Sequence, residues 1–441
     1  MTKKFLSLST GVAVVALMAG APNAFAQVAI NQSSTNNSPL TNNGTVTTNA
    51  GNLGVGATLG VSASGAVSST SVTGIDQAFN APTFGNATQA ATNGTYGSGD
   101  VVSNTGTLTI GAGNAGAGSS AQIGASGAVA SLSVTGIGGV TNTAFGANTV
   151  GNVTQGTGIP NSTGVAITNN IDVTNSGSIG ASGLALLGNG SSASISATGA
   201  MASVSSAAIG ATSFGGTTIG NVGQSVLNVG VISNTSTGLT VGALSGAGTS
   251  ASVSATGAGA SISVASLNSA GVTGSTIGSI DQKAASLTGV TNTGGTITTG
   301  AISGTGSGVS IGATGGSSSV SLASNGSNAA VNTIGTVTQY GGSAAAVTNT
   351  GTIASGPLTG IGSSASISAT GSAASFSASS IGDTTVGGIP VVGNISQTSS
   401  TNAAVQNTGG ITLTAGNMGN GASAAVSAMG AGSFVSFRSV K

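Results

Sequence analysis

Gly308-Val309-Ser310-Ile311-Gly312 has the spacing of a nucleophile elbow, the turn that presents a serine hydroxyl to a carbonyl carbon. A serine in that role needs a neighbouring base to take its proton, and the sequence contains no histidine. Gly111-Ala112-Gly113-Asn114-Ala115-Gly116 fits the dinucleotide fingerprint, whose glycines let a pyrophosphate reach a helix N-terminus. With 79 glycines in the chain such matches arise by chance, and no helical pattern follows this one. Carboxylate chemistry has little to work with. Asp76 and Asp281 each precede a Gln, Asp172 and Asp383 stand elsewhere, and all four read as isolated turn or surface residues. Calcium would need several oxygen ligands gathered in one loop, and no repeated acidic motif supplies them. The sequence therefore gives no catalytic, cofactor-binding or metal-binding residue, and the expectation is a protein that is not an enzyme.

Two further patterns could serve recognition. Thr-x-Thr pairs at Thr45/Thr47, Thr107/Thr109, Thr296/Thr298 and Thr412/Thr414 would form a flat hydroxyl ladder of the kind that binds ice if they were stacked. Only four of the seven units carry the pair, so strand propensity is the preferred account. Phe376, Phe434 and Phe437 could be adhesive contacts, but filling a strand core explains them without a special role.

The elements that must position any such residues follow from composition. The chain is 38% apolar and 2% charged, with no Trp, Cys or His. Disordered chains are usually poor in apolar residues and rich in charge, so disorder fits badly. The apolar residues are small or β-branched and interleaved with Ser, Thr, Gly and Asn, which suits pleated surfaces. Residues 1–26 carry Lys3 and Lys4, an apolar run through Val12 and Leu17, and Ala24-Phe25-Ala26, the pattern of a cleaved Sec signal peptide. Later segments are interrupted too often by Gly, Ser and Asn to form a membrane-spanning segment. Without residues 1–26, Lys283, Arg438 and Lys441 face five Asp, a balance that argues against nucleic acid as a partner. With no Cys, an exported fold must be held by hydrogen bonds and packing.

Residues 27–441 read as seven repeats, about 30–86, 87–152, 153–221, 222–279, 280–336, 337–394 and 395–441. Each repeat carries three anchors. The first is a Gln two residues after an aliphatic position, at Gln32, Gln89, Gln155, Gln224, Gln282, Gln339 and Gln397. The second is Asn-Thr-Gly or a near form, at Asn104, Asn175, Asn234, Asn292, Asn349 and Asn407, with Asn42-Asn43-Gly44 as the first-unit variant. The third is Ser-Ala-Thr-Gly or a near form, ending at Gly65, Gly127, Gly199, Gly257, Gly315, Gly371 and Gly430, which read as turn glycines. The distance from the first anchor to the second is constant except in units two and three, which carry insertions. Between anchors, residues alternate with the two-residue period of a strand, as in Ser252-Val253-Ser254-Ala255.

Short strands in one such unit cannot close a core, so neighbouring units must stack. The predicted fold is all-β, a repeat β-solenoid resembling a parallel β-helix, with very little helix after residue 26. Stacking would place the Gln and the Asn of successive units in register as structural amide ladders. About three coils per unit would make a rod on the order of 100 Å. An antiparallel hairpin about each Ser-Ala-Thr-Gly is the alternative.

Strings such as Val347-Thr348-Asn349-Thr350-Gly351-Thr352-Ile353 resemble the repeats of filamentous haemagglutinins and autotransporter passenger domains. That resemblance implies a right-handed parallel β-helix and surface adhesion. The recurring Gln and Asn are more distantly similar to curli-type fibre subunits. The functional expectation is an extracellular or cell-surface structural or adhesive protein, a fibre or biofilm-matrix component that self-associates by β-strand stacking. The alternative is a monomeric solenoid that binds carbohydrate, ice or a host surface. Arg438 and Lys441, clustered on the last strand, are expected to restrain end-to-end addition.

Overall fold

The computed structural model describes residues 28–440 except 49–52, 55, 76–82, 96–99, 111–112, 138–143, 146–148, 151, 157–166, 182–183, 210–212, 215–217, 237, 270–275, 294, 327–332, 382–390 and 415–417. Residues 1–26, expected to be a signal peptide, and Asp76, Asp383 and Lys441 therefore lie outside the described residues. Among the described residues there is no helix, and every strand pairing is parallel.

Each repeat is one turn of a solenoid. In the fifth turn the chain runs through Ile280–Ser286, Val290–Asn292, Thr296–Thr299 and Gly308–Gly326, here called the Gln, Asn, Thr and long strands. Each strand pairs with its equivalents in the turns before and after, so the Asn, Thr and long strands each build a seven-stranded sheet. The repeat thus gives one coil where three were expected. Gln282 sits in register with Gln224 and Gln339, a single repeat away on either side. Seven coils at a strand spacing of ~4.8 Å rise only about 30 Å from first to last, far short of the expected rod. Parallel pairing also removes the hairpin alternative, because a hairpin would make antiparallel neighbours.

The alternating sequence fixes which side chains turn inward. Along the long strands Val61, Ile123, Ile195, Val253, Ile311 and Ile367 form one buried column. It packs against Leu108, Ile179, Leu239, Ile297 and Ile353 of the Thr strands. Near the other end of the long strands Leu132, Val204, Ile262, Val320 and Phe376 pack against Val153, Val222, Ile280 and Val337 of the Gln strands. Phe376 is therefore a core residue, whereas Phe434 in the last coil is 49% exposed. Between these two lobes the inward residues of the long strand shrink to alanine, as at Ala197, Ala200 and Ala202, and the coil narrows to a waist.

The waist explains the third anchor and corrects the turn expected there. Gly199 lies in the middle of the continuous strand Ser192–Ile209, and the other six anchor glycines sit likewise inside their long strands. The pairing register runs through Thr198↔Thr256 and Ala200↔Ala258 and passes over Gly199. Ala197, Gly199, Ala200 and Ala202 are all buried, so the inward parity flips at the glycine. A Cβ on Gly199 would overlap the Asn228 carboxamide and the Gly257 carbonyl. Only a glycine lets the opposite strand come this close.

The turn itself falls nine residues earlier, at Gly56, Gly118, Gly190, Gly248, Gly306, Gly362 and Gly421, whose φ angles lie between 66° and 70°. Each is the third residue of a four-residue turn that leads into the long strand. In the fifth coil the Ser307 amide closes that turn by donating to the Gly304 carbonyl at 3.2 Å.

The two insertions fall where they disturb no register. In the third coil the Gln strand is split into Val153–Gln155 and Ile167–Asn169, both of which pair with the unbroken Val222–Asn228. In the second coil the extra residues lie between Thr83–Asn93 and Val101–Asn104.

Candidate functional site: amide ladders and open coil ends

The seven Gln residues form one continuous ladder through the interior. The side-chain Nε2 of Gln89, Gln155, Gln224, Gln282, Gln339 and Gln397 donates to Oε1 of the Gln one coil earlier, at 2.7 to 2.9 Å. The second Nε2 hydrogen crosses the coil to a carbonyl of the long strand. Gln155 reaches Ser203, Gln224 reaches Ser261, Gln282 reaches Ser319 and Gln339 reaches Ser375, at 2.8 to 3.0 Å. Each internal carboxamide thus uses both donors and accepts at its oxygen, which is how a buried polar column is tolerated. Gln89, Gln155 and Gln282 are fully buried.

The Asn column does a different job. Asn104, Asn175, Asn234, Asn292 and Asn349 are fully buried, and each Nδ2 donates across the coil to a long-strand carbonyl 3.0 to 3.2 Å away. Asn407 makes the same bond to Ser427 at 2.7 Å. Contacts along the stack are longer, 3.2 to 3.5 Å where Asn104 donates to Asn175, Asn292 to Asn349, and Asn349 to Asn407. The Asn residues are therefore clamps between the two walls of each coil first and a ladder second. In most coils the following glycine amide donates back to the Asn Oδ1, as Gly177 does to Asn175 at 3.3 Å. In the fourth coil Ser236 stands at this position, and the buried Asn234 Oδ1 has no partner among the described residues.

A third ladder went unread in the sequence. Asn36 donates to Asn93, Asn93 to Asn169, Asn169 to Asn228 and Asn228 to Ser286, at 2.8 to 3.1 Å. Its signal is an Asn four residues after Gln32, Gln89 and Gln224, hidden because later repeats carry Ser or Thr there and the third carries an insertion.

The residues first considered for chemistry are dispersed. Ser310 lies exposed on the long strand Gly308–Gly326, in register with Ser252 and Ser366, and not on a turn. Gly113–Ala115 is a short strand, and the next segment is the long strand Ser120–Ile137. Asp172 accepts the Val231 amide at 2.8 Å in the third coil. Asp281, in the fifth, pairs with Lys283 at 3.2 Å on the surface. Among the described residues no three His, Cys, Asp or Glu gather as a metal site, and no helix is long and apolar enough to cross a membrane.

Stacking lays the outward side chains out as columns of hydroxyls. Ser71, Ser133, Ser205, Ser263, Ser321, Ser377 and Ser436 occupy one register position in all seven coils. The Thr columns are less regular. Thr45, Thr107, Thr296 and Thr352 share a column in which the other coils carry Ser178, Gly238 and Gly410, and Thr412 falls two positions along, in register with Ala354. The fourth Thr-x-Thr pair is therefore out of step with the other three.

Among the described residues the last coil is open on one side. Val426 and Val435 continue the buried columns of Ile367 and Phe376, yet they are 50% and 49% exposed where their predecessors are 0% and 1%. The strand that carries them, Ser423–Val440, has a coil on one side only among the described residues. Arg438 lies on this strand in register with Ser379.

Fold and ladders together define an all-β parallel solenoid of seven single-turn coils held by internal carboxamides. Comparison with protein-family models, curated proteins and solved structures finds no match to the chain.

Proposed function

We propose that the chain is an extracellular structural or adhesive protein, a fibre or matrix component of the cell surface that self-associates by β-strand stacking. The observation that carries this reading is the open last coil, which leaves half-exposed core valines beside an edge strand of 18 residues. Proteins that stay monomeric usually blunt such an edge with charge, proline or a bulge. The described part of this edge holds one charged residue, Arg438, and no proline. The reading is non-catalytic.

Electron microscopy of residues 27–441 over days at several concentrations tests it. Unbranched fibres that grow faster with concentration and from seeds are the expected result, and single particles at every concentration would overturn it. Replacing Arg438 and Lys441 by Ser is expected to speed growth. A second reading, a monomeric module that binds carbohydrate, ice or a host surface, is favoured by the unbroken Ser71 to Ser436 column of hydroxyls. Glycan or ice binding by single particles would support it.

A further inference from the structure

We infer that the partner of the open last coil is the first coil of a second copy, stacked head to tail in the same register that joins coils within the chain, so that the Gln ladder runs unbroken across the junction. The inference rests on the self-association proposed above and adds its polarity, its register and its contact residues.

Three observations carry it. First, the two terminal coils match position for position. Gln32 and Gln397, Asn42 and Asn407, Thr45 and Gly410, and Thr58 and Ser423 are equivalent residues, and each pair is separated by 365 positions. Neither terminal coil carries the insertions of coils two and three, so a second copy docks on all four sheets with one offset and no bulge. Second, the ladder is directional. Every internal Gln donates toward the preceding coil, which leaves Gln397 Oε1 without a donor among the described residues. At the other end Gln32 Nε2 donates across its own coil to Ser69 at 3.1 Å and keeps one hydrogen for a preceding coil. A head-to-tail junction joins that hydrogen to that oxygen. A tail-to-tail junction would set two acceptors against each other.

Third, the backbone edges have the same sense. The amides of Ser120, Ser192, Ser250, Gly308, Ser364 and Ser423 donate to the preceding coil. The equivalent Thr58 amide therefore points away from the stack, toward where the Ser363 equivalent of another copy's last coil, Ala422, would offer its carbonyl. Parallel pairing is the rule at all six internal junctions, and only head-to-tail docking extends it.

The chain has no cysteine, so an engineered pair reports the junction without background. In the inferred register Thr58 of one copy lies beside Ser423 of the next, at the ~4.8 Å spacing of paired strands, within disulfide range. Both side chains are exposed. Within one copy the same two residues are six coils apart, about 30 Å, and cannot bridge.

Fibres of the Thr58→Cys/Ser423→Cys chain, oxidised mildly, are expected to give a ladder of covalent oligomers that reduction collapses. Peptide mapping is expected to find the mixed 58–423 link, and either single variant alone is expected to give none. The Ser71→Cys/Ser436→Cys chain repeats the test at a second matched pair, in case the first perturbs folding. Like-to-like dimers from a single variant, or fibres from which neither pair yields the mixed link, would overturn the inference while leaving self-association intact. A wild-type chain that forms no fibres would remove both.

Discussion

Replacing Gln282 by Leu tests the ladder where it is most buried. Gln282 has no exposed surface, donates to Gln224 at 2.7 Å and to the Ser319 carbonyl at 3.0 Å, and accepts from Gln339 at 2.8 Å. Leucine removes all three bonds and strands Gln224 Oε1, the Ser319 carbonyl and one Gln339 hydrogen away from water. A buried group left without its partner costs about 1–3 kcal/mol, so three orphans give roughly 3–9 kcal/mol before relaxation. Burying the leucine returns about 1.5–3 kcal/mol. The net expectation is a loss centred on about 4 kcal/mol. Gln397→Leu is the internal control. It breaks the 2.8 Å bond to Gln339 and the 3.1 Å bond to Phe434, but at the open end water replaces them, and the loss should be about 1 kcal/mol. Urea unfolding at low protein concentration, followed by far-ultraviolet circular dichroism, measures both as shifts of midpoint at constant slope. Equal losses for the two variants, or no loss for Gln282→Leu, would refute the claim that the ladder is a satisfied internal network on which stability depends.

The remaining predictions concern glycines. Gly199→Ala places a methyl group on the Asn228 carboxamide and the Gly257 carbonyl and should cost at least about 2–3 kcal/mol by the same assay, whereas Gly430→Ala, with nothing within 4 Å, should be within about 0.5 kcal/mol of wild type. Gly306→Ala meets no neighbour but must hold φ at 66°, so its cost should be about 1–2 kcal/mol, and Gly306→Asn should cost less because Asn tolerates that conformation. An Ala variant as stable as the Asn variant would show that the turn can relax.

Much of this architecture could be read from spacing. The recurrence of Gln and Asn located the two columns that the structure finds buried, because a residue that must meet its own copy in the next coil cannot drift. The insertions in units two and three fall after Asn93 and Gln155, between strands that keep their register. Three things escaped. The coil count escaped because a Gly-rich unit of short strands looks divisible, while a parallel turn needs a returning wall as long as the three strands it covers. The long strands, such as Ser364–Ile381, are that wall. The turn glycines escaped because Gly190 and Gly199 look alike in sequence, and only three-dimensional crowding separates a left-handed turn from a close approach. The Asn36 to Asn228 ladder escaped because the later coils carry Ser or Thr at that position, of which Ser286 accepts the bond from Asn228.

One coil per repeat also fixes how the molecule would answer a pull. Successive coils are zipped edge to edge, so tension between the two chain ends loads one junction at a time and peels the outermost turn first. A peeled repeat of 58 residues, the separation of Gln224 and Gln282, pays out about 200 Å of extended chain in place of the ~4.8 Å it occupied in the stack. Every turn is thus a store of slack roughly forty times its folded height, released one junction at a time.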